Sequence, residues 1–370
     1  MTMAALAPRR SAPSSVAAVV PRLVVVSLLV SRLLGRYWMD WAIGLFGVFF
    51  IAVRGRGMER LVLTMMIVLA LAAGGGQMDL GIRATLFAAM FMTLARYCPI
   101  NPWFHLVAQL IALAVAVVDG SEVSLELFVY APCALFLIIS NEMIRDAVPR
   151  GRGPRAVLLV LFNLLSFVVP SFGSGSRSAL FVWATVNARR IRLVWLVVAA
   201  LVVLAAVPVL LSLRDLPVFQ KLGNSLNEVT QPVDPETGGF SQRAIENLTF
   251  LEYITAASPR EILFGSTVPI LLDGEPLGQD HDVRFVPHNQ IFGMVFQLGL
   301  VGSAVFLAYL IGLLRWFAAV DGFAAFTMAM LLLPAFALKQ GIYDADLALL
   351  AGTLNWVRQR QLARSTAEAV

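Results

Sequence analysis

The chain has 370 residues, of which 59% are hydrophobic and 14% are charged, and its mean hydropathy is +0.80. This composition excludes an ordinary soluble fold and indicates an integral membrane protein. The net charge of +5 arises almost entirely from arginine, since Lys221 and Lys339 are the only lysines. Arginines at the ends of membrane helices face anionic lipid, so the positive charge predicts no nucleic-acid partner.

Apolar segments follow one another along the chain after a short tail at residues 1–15 that is predicted to be disordered. Most of them approach the roughly 20 residues that an α-helix needs to cross a bilayer. They are continuous and show no two-residue alternation, which predicts helices and not the strands of a barrel. The twelve candidate spans are 16–36, 37–53, 59–73, 80–95, 103–118, 124–140, 155–170, 177–189, 191–213, 290–314, 322–338 and 342–357.

Basic residues are unevenly divided between the two sides of this arrangement. With the N-terminus inside, eighteen arginines fall on the cytoplasmic side, whereas the short outer loops hold only Arg32, Arg36, Arg83, Arg177 and Lys339. The positive-inside rule therefore predicts cytoplasmic tails and a long outer loop. The predicted fold is an all-α integral membrane protein of about twelve transmembrane helices. Its regions are a tail at 1–15, helices 1–9 at 16–213, a periplasmic loop at 214–287, helices 10–12 at 288–358 and a tail at 359–370.

A Gly/Ser turn at residues 170–180 separates the seventh and eighth segments on the predicted outer side. Small residues allow close approach of a ligand, and successive backbone N–H groups in such turns can bind anions. Arg177, between Ser176 and Ser178, adds a planar cation suited to phosphate or diphosphate. A flexible hairpin without a ligand is the alternative interpretation.

The long loop at 214–287 carries eleven acidic residues and five basic ones, which include Arg243, Arg260 and Arg284. Apolar residues recur at helical spacing from Ser241 to Ala257 (Ile245, Leu248, Leu251 and Ile254), with Ser241 as the cap and Pro259 marking the end. This pattern predicts an amphipathic helix whose apolar face rests on the bundle or the membrane. Arg243 lies in its first turn, where the helix dipole disfavours a cation. The misfit indicates an anionic ligand, while pairing with a nearby carboxylate is the alternative.

His288, Asn289 and Gln290 lie where the loop enters the tenth membrane helix. Polar side chains at the start of a membrane helix cost free energy unless they form hydrogen bonds or bind a ligand. The three residues are therefore candidates for a functional site. A helix start that simply faces water is the alternative. Asp280-His281-Asp282 offers too few convergent ligands for a metal, and no metal or cofactor is expected. Cys98 and Cys133 are predicted to be buried thiols without a disulfide.

Three elements of the sequence resemble the family of O-antigen ligases and polymerases over about residues 155–340. The first is the outer Ser-Arg-Ser-Ala turn at 176–179. The second is the large loop with Arg243 opening a helix, followed by Pro259 and Phe264-Gly265. The third is His288-Asn289 leading into Gln297-Leu298-Gly299-Leu300-Val301-Gly302. These elements occur in the order and topology typical of that family.

The resemblance implies a GT-C-like bundle in the bacterial inner membrane and a metal-independent glycosyltransferase. Its donor would be a glycan on undecaprenyl diphosphate, and its other partners membrane lipid and proteins of polysaccharide export or flipping. Arg177 and Arg243 would hold the donor diphosphate, and His288 would stand beside the acceptor. The further substrate-binding residues are expected to be Asn289, Gln290, Arg260, Arg284, Ser176 and Ser178.

The chemistry of these residue types agrees with that role. Negative charge grows on the diphosphate as the glycan leaves, so fixed arginines stabilise the transition state. His288 can accept the proton of the attacking hydroxyl or orient it. The acidic loop favours a polymerase of exopolysaccharide or O-antigen over a ligase, which must attract the phosphorylated lipid A core.

Two further hypotheses are a flippase for lipid-linked sugars and a scaffold protein. A flippase is expected to carry polar residues through the midplane of the bundle and to show inverted repeats. The sequence shows no such repeat, and its polar residues are expected at the outer surface. A scaffold is disfavoured by the joint presence of Arg177, Arg243 and His288 on that side.

Overall fold

The structure of the protein is a computed structural model that describes residues 23–27, 38–73, 78–118, 134–143, 177–188, 242–266, 271–272, 283–284, 290–338 and 345–368. These residues are almost entirely helical. Besides a helical turn at 23–27, the helices are α1 (Trp38–Arg54), α2 (Gly57–Ala73), α3 (Met78–Tyr97), α4 (Pro102–Val118), α5 (Ala134–Met143), α6 (Arg177–Ala188), α7 (Gln242–Ala256), α8 (Pro259–Phe264), α9 (Gln290–Ala318), α10 (Gly322–Leu338) and α11 (Ala345–Glu368).

These helices coincide with most of the apolar segments of the sequence. Helices predicted over 37–53, 59–73, 80–95, 103–118, 177–189, 290–314 and 322–338 are confirmed within one to four residues at each end. Helix α11 begins in the twelfth predicted span and continues to Glu368, so most of the predicted C-terminal tail is helical. The segments 155–170 and 191–213 lie outside the described residues.

Helix α3 is the centre of the bundle. Every residue from 84 to 95 is buried, because α1, α2 and α11 pack around it. Small residues bring α1 close: a Cβ atom on Gly47 would lie 2.9 Å from the backbone of Ala89. Helix α9 packs against α2 and α10, and α10 also contacts α6 and α11. A helix segment that is buried on all sides has no polar face, and residues 84–95 accordingly carry no charged side chain.

One helix of the described part, Ile291–Ala318, is long and apolar enough to cross a membrane by length and composition, with a mean hydropathy of 2.1 over its best window. Shorter apolar helices are Trp41–Arg54, Ala134–Met143 and Gly322–Leu333. The helical fold class is thus confirmed for the described residues. The arrangement of about twelve spans stays a prediction.

The segment 242–266 forms the described helical part of the predicted outer loop. Helix α7 matches the predicted helix at 241–257, and Pro259, expected only to end it, begins the short helix α8. Two strands of two residues each, β1 (Leu271–Leu272) and β2 (Val283–Arg284), pair antiparallel and bring Leu271 opposite Arg284. They were not expected from the sequence.

Candidate functional site

Helix α7 is held against the start of α9 by aromatic rings. Phe250 stacks on Phe292 with ring centroids 4.1 Å apart and planes 7° from parallel. Tyr253 meets the edge of Phe296 at 5.0 Å. The prediction that α7 rests on the bundle is confirmed, but its contact face is shifted, because Phe250 is buried and Leu251 is 59% exposed. Ring pairs set the face here, since they bury more area than a leucine.

Helix α8 starts with a complete capping box. Ser258 Oγ accepts a hydrogen bond from Glu261 N, and the Glu261 carboxylate accepts one from Ser258 N at 2.9 Å. The hydrogen bonds from Ser258 lower the pKa of Glu261, and the nearby charge of Arg260 lowers it slightly further. Burial, followed by the charge of Glu261, raises the pKa of Tyr253 to about 12. The charge of Glu261 therefore acts on Tyr253 as well as on the cap of α8.

The end of α8 packs against a kink in α9. Gly299 adopts φ 65° and ψ −178°, a conformation that only glycine takes without strain. A Cβ atom on Gly299 would overlap the carbonyl oxygen of Leu263, and one on Gly265 would lie 2.5 Å from the carbonyl oxygen of Gln297. Ser266 N donates to Phe296 O at 2.8 Å, the carbonyl that a regular helix would pair with residue 300.

This α8–α9 junction, defined as residues 258–266 and 292–299, joins two parts of the resemblance. The Phe264-Gly265 element and the Gln297–Gly302 element lie 30 or more residues apart in sequence, yet their backbones touch. A break in a helix leaves backbone groups unpaired, and broken helices in proteins often border binding sites. The junction is therefore the best candidate for the functional site among the described residues.

The structure describes some of the predicted site residues and not others. Arg243 is the second residue of α7, Arg177 the first of α6, Gln290 the first of α9, and Ser178 lies in α6. Arg260 is an exposed residue of α8 within the junction, and Arg284 lies in β2. Ser176, His288 and Asn289 lie outside the described residues, and so do Asp280-His281-Asp282 and Cys133. The convergence of Arg177, Arg243 and His288 on one cavity stays a prediction.

A second polar group lies inside the bundle, where none was expected. His105 and Gln109 on α4 face Asp346 and Thr353 on α11, and all four are buried. His105 Nδ1 is 3.0 Å from Thr353 Oγ1, Gln109 Nε2 is 3.3 Å from His105 Nε2, and the same nitrogen donates to Asp346 Oδ1 at 3.0 Å. We call these four residues the polar file.

The polar file corrects the expectation that polar residues gather at the outer surface. Its sequence signal is present: His105 and Gln109 are spaced i, i+4 in an apolar helix, and Asp346 and Thr353 are spaced i, i+7. What the sequence did not reveal is that α4 and α11 are neighbours. Buried ionisable residues in membrane bundles mark functional or coupling positions more often than chance would place them there.

A third cluster of polar and aromatic residues, which includes Arg96 and Arg358, joins several helices of the bundle. Glu59 of α2 is fully buried, pairs with Arg96 at 3.1 Å and accepts a hydrogen bond from Tyr97. Arg358 of α11 lies 3.7 Å from the ring centroid of Trp316 and donates to its carbonyl oxygen. Cys98 follows Tyr97 in the sequence, and its predicted burial is confirmed. Arg96 also lies 5.3 Å from the ring centroid of Trp316, so residues of α2, α3, α9 and α11 meet in one cluster.

Known protein families provide no assignment for this chain. No family model matches it, and no curated protein matches it. Its function is therefore inferred from its own residues and their geometry.

Proposed function

We propose that the protein is a polysaccharide polymerase of the bacterial inner membrane, of about twelve spans. It transfers a glycan from undecaprenyl diphosphate to a lipid-linked acceptor at the outer face, without a metal. The observation that carries the proposal is the α8–α9 junction, because the second and third elements of the resemblance meet there through two glycines. An O-antigen ligase, acting on lipid A core, is the alternative within the same chemistry.

Exposed apolar side chains support insertion into a membrane. Contiguous apolar surface of this kind is rare on soluble monomers. It lies along several helices that are otherwise packed on one side only. The exposed large residues include Trp41, Leu45 and Phe49 on α1, Leu61, Val68 and Leu71 on α2, Trp103, Val107 and Ile111 on α4, and Leu300, Leu307 and Ile311 on α9.

The roles of the site residues follow from their chemistry. Arg177 and Arg243 bind the donor diphosphate as its charge grows, and His288 takes or orients the proton of the acceptor hydroxyl. Arg260 is exposed on α8 and is free to contact the donor or the glycan. The docking of α7 through Phe250 and Phe292 supports this assignment, because it anchors the helix that Arg243 begins to the helix that follows His288.

Reconstitution with a lipid-linked repeat unit tests the proposal. Covalent chain growth supports the polymerase, and transfer to lipid A core alone supports the ligase. If neither product forms, both hypotheses are rejected. Arg243→Lys keeps the charge but loses the bidentate fork, so we expect a loss of at least about 100-fold in rate. Arg315→Lys, an exposed arginine at the far end of α9, is the matched control and should retain the full rate.

The polar file favours a flippase for lipid-linked sugars as a second candidate. Transporters carry polar residues through the bundle, and Asp346 and His105 are buried between α4 and α11. Movement of a labelled lipid-linked sugar across proteoliposomes, without covalent change and abolished by Asp346→Asn, would support this candidate. Covalent elongation that survives Asp346→Asn would reject it.

A further inference from the structure

The turn between α1 and α2 carries three arginines on the surface of the protein. Arg54 ends α1, Arg56 lies between the helices and Arg60 lies in the first turn of α2, and all three are exposed. Gly55 makes the turn tight, since its N–H binds the carbonyl oxygen of Ile51 at 2.8 Å. Three guanidinium groups are therefore held within seven residues of chain. We call them the basic turn.

The only carboxylate of this turn is withdrawn into the bundle. Glu59 is fully buried, where it pairs with Arg96 and accepts hydrogen bonds from Tyr97 and from Arg56 N. Glu59 thus pairs with residues of α3 and with a backbone N–H, and does not pair with the exposed guanidinium groups of Arg54, Arg56 and Arg60. Among the described residues, Arg54 and Arg56 make no ion pair, and the guanidinium group of Arg60 donates only to the carbonyl oxygen of Val53 at 3.1 Å.

Apolar side chains flank the basic turn on both helices. Phe49 and Val53 on α1 are 67% and 53% exposed, and Met58 and Leu61 on α2 are 45% and 55% exposed. A cluster of cations bordered by exposed apolar residues matches a phospholipid, whose phosphate lies beside its acyl chains. One phosphodiester carries a single negative charge, so it neutralises one of the three arginines. A headgroup with two phosphodiesters matches the site better.

We propose that the basic turn is a specific site for one anionic phospholipid with two phosphodiesters, such as diphosphatidylglycerol. Arg54 and Arg56 bind the phosphates, and Arg60 contributes its charge from the first turn of α2. The burial of Glu59 makes the site possible, because an outward carboxylate would compete with the phosphates. The inference rests on membrane insertion in the proposed function and does not require glycosyl transfer.

Lipid titration of the purified full chain, followed by native mass spectrometry, tests the proposal. We expect one diphosphatidylglycerol per chain, bound more tightly than phosphatidylglycerol, and no retained phosphatidylcholine. Each arginine near a lipid surface contributes enough free energy that Arg54→Gln/Arg56→Gln should weaken binding roughly 30-fold. Arg83→Gln/Arg315→Gln removes two other exposed arginines and should leave binding unchanged.

Several outcomes would overturn the proposal. Equal weakening in both double variants would show diffuse attraction to surface charge. Equal affinity for phosphatidylglycerol would remove the requirement for two phosphodiesters, and tighter binding of a polyprenyl diphosphate would assign the site to another lipid. The unfolding midpoint in lipid-free detergent should be the same for both double variants, since all four arginines are exposed; a drop confined to Arg54→Gln/Arg56→Gln would show that the turn serves the fold.

Vesicle flotation separates this inference from the proposed function. A chain that does not float with phosphatidylcholine vesicles is not inserted, and both proposals fail. A chain that floats without preferring diphosphatidylglycerol refutes only the lipid site. A chain that binds this lipid at the basic turn but forms no polymer refutes only the polymerase.

Discussion

The α8–α9 junction and the polar file are built in opposite ways. At the junction two backbones touch because Gly265 and Gly299 lack side chains. In the polar file two helices meet through side chains, His105 to Thr353 and Gln109 to Asp346. The junction depends on the absence of a side chain at two glycines. The polar file depends on four polar side chains that bind one another. Their sensitivity to substitution should differ accordingly.

Gly299→Ala should have the largest effect. The added methyl group overlaps the Leu263 carbonyl oxygen and forces alanine into a conformation reserved for glycine. We expect a loss of about 3 kcal/mol in unfolding free energy, from overpacking and backbone strain combined. Thermal or denaturant unfolding in detergent measures it. Gly312→Ala is the control in the same helix: its Cβ would meet open space, so it should be neutral or slightly stabilising. Equal behaviour of the two variants would show that α8 does not pack in the kink.

Gln109→Leu should have the next largest effect. It removes the amide that bridges His105 and Asp346 inside the bundle. A buried polar group that loses its hydrogen-bond partner costs about 2 kcal/mol, and we expect a loss of that size in unfolding free energy. Gln359→Leu, an exposed glutamine on α11, should change it by less than about 0.5 kcal/mol. No difference between the two variants would mean that the polar file does not join α4 to α11.

Ser258→Ala should destabilise α8 locally by about 1 kcal/mol, the usual contribution of a helix cap. It also removes the hydrogen bond from Ser258 Oγ to the Glu261 carboxylate, which is one of the two Ser258 hydrogen bonds that lower the pKa of Glu261; the larger contribution, from the Ser258 backbone N–H, remains. A lowered pKa stabilises the folded state above the ordinary value of 4.5, and that contribution is lost as pH falls below it toward the folded pKa. Amide exchange in α8 should thus differ between wild type and variant at neutral pH, and less at about pH 3. Ser365→Ala, in the exposed end of α11, serves as the control; a difference between wild type and variant that is equally large at both pH values would contradict the role of Glu261.

Tyr253→Phe should have the smallest effect at neutral pH, because the ring contact with Phe296 is retained. The pKa of Tyr253 is raised from 10.0 to about 12. Its stabilising contribution is therefore complete below pH 10 and lost as pH rises through the folded value of about 12. Proteolysis within α7 should increase over this range in wild type and not in the variant. Parallel alkaline profiles would mean that another group controls the docking of α7.

The glycines of the α8–α9 junction are visible in the amino-acid sequence, whereas the contact face of α7 is not. Gly265 and Gly299 belong to the resemblance, and the helices around them are predicted from apolar runs. Phe250 and Leu251 are both apolar, so only the position of Phe292 decides which of them is buried. The predicted roles of Arg177, Arg243 and His288 remain proposals.

The sequence by itself determined the helical class and the order of the helices, because hydropathy acts locally along the chain. Tertiary structure alone decided that α8 enters the kink of α9, that His105 meets Thr353 across 248 positions of sequence, and that Glu59 turns inward to Arg96. Such pairings depend on which helices become neighbours. An apolar helix face can pack against many other apolar faces, so the sequence of one helix does not determine its neighbour.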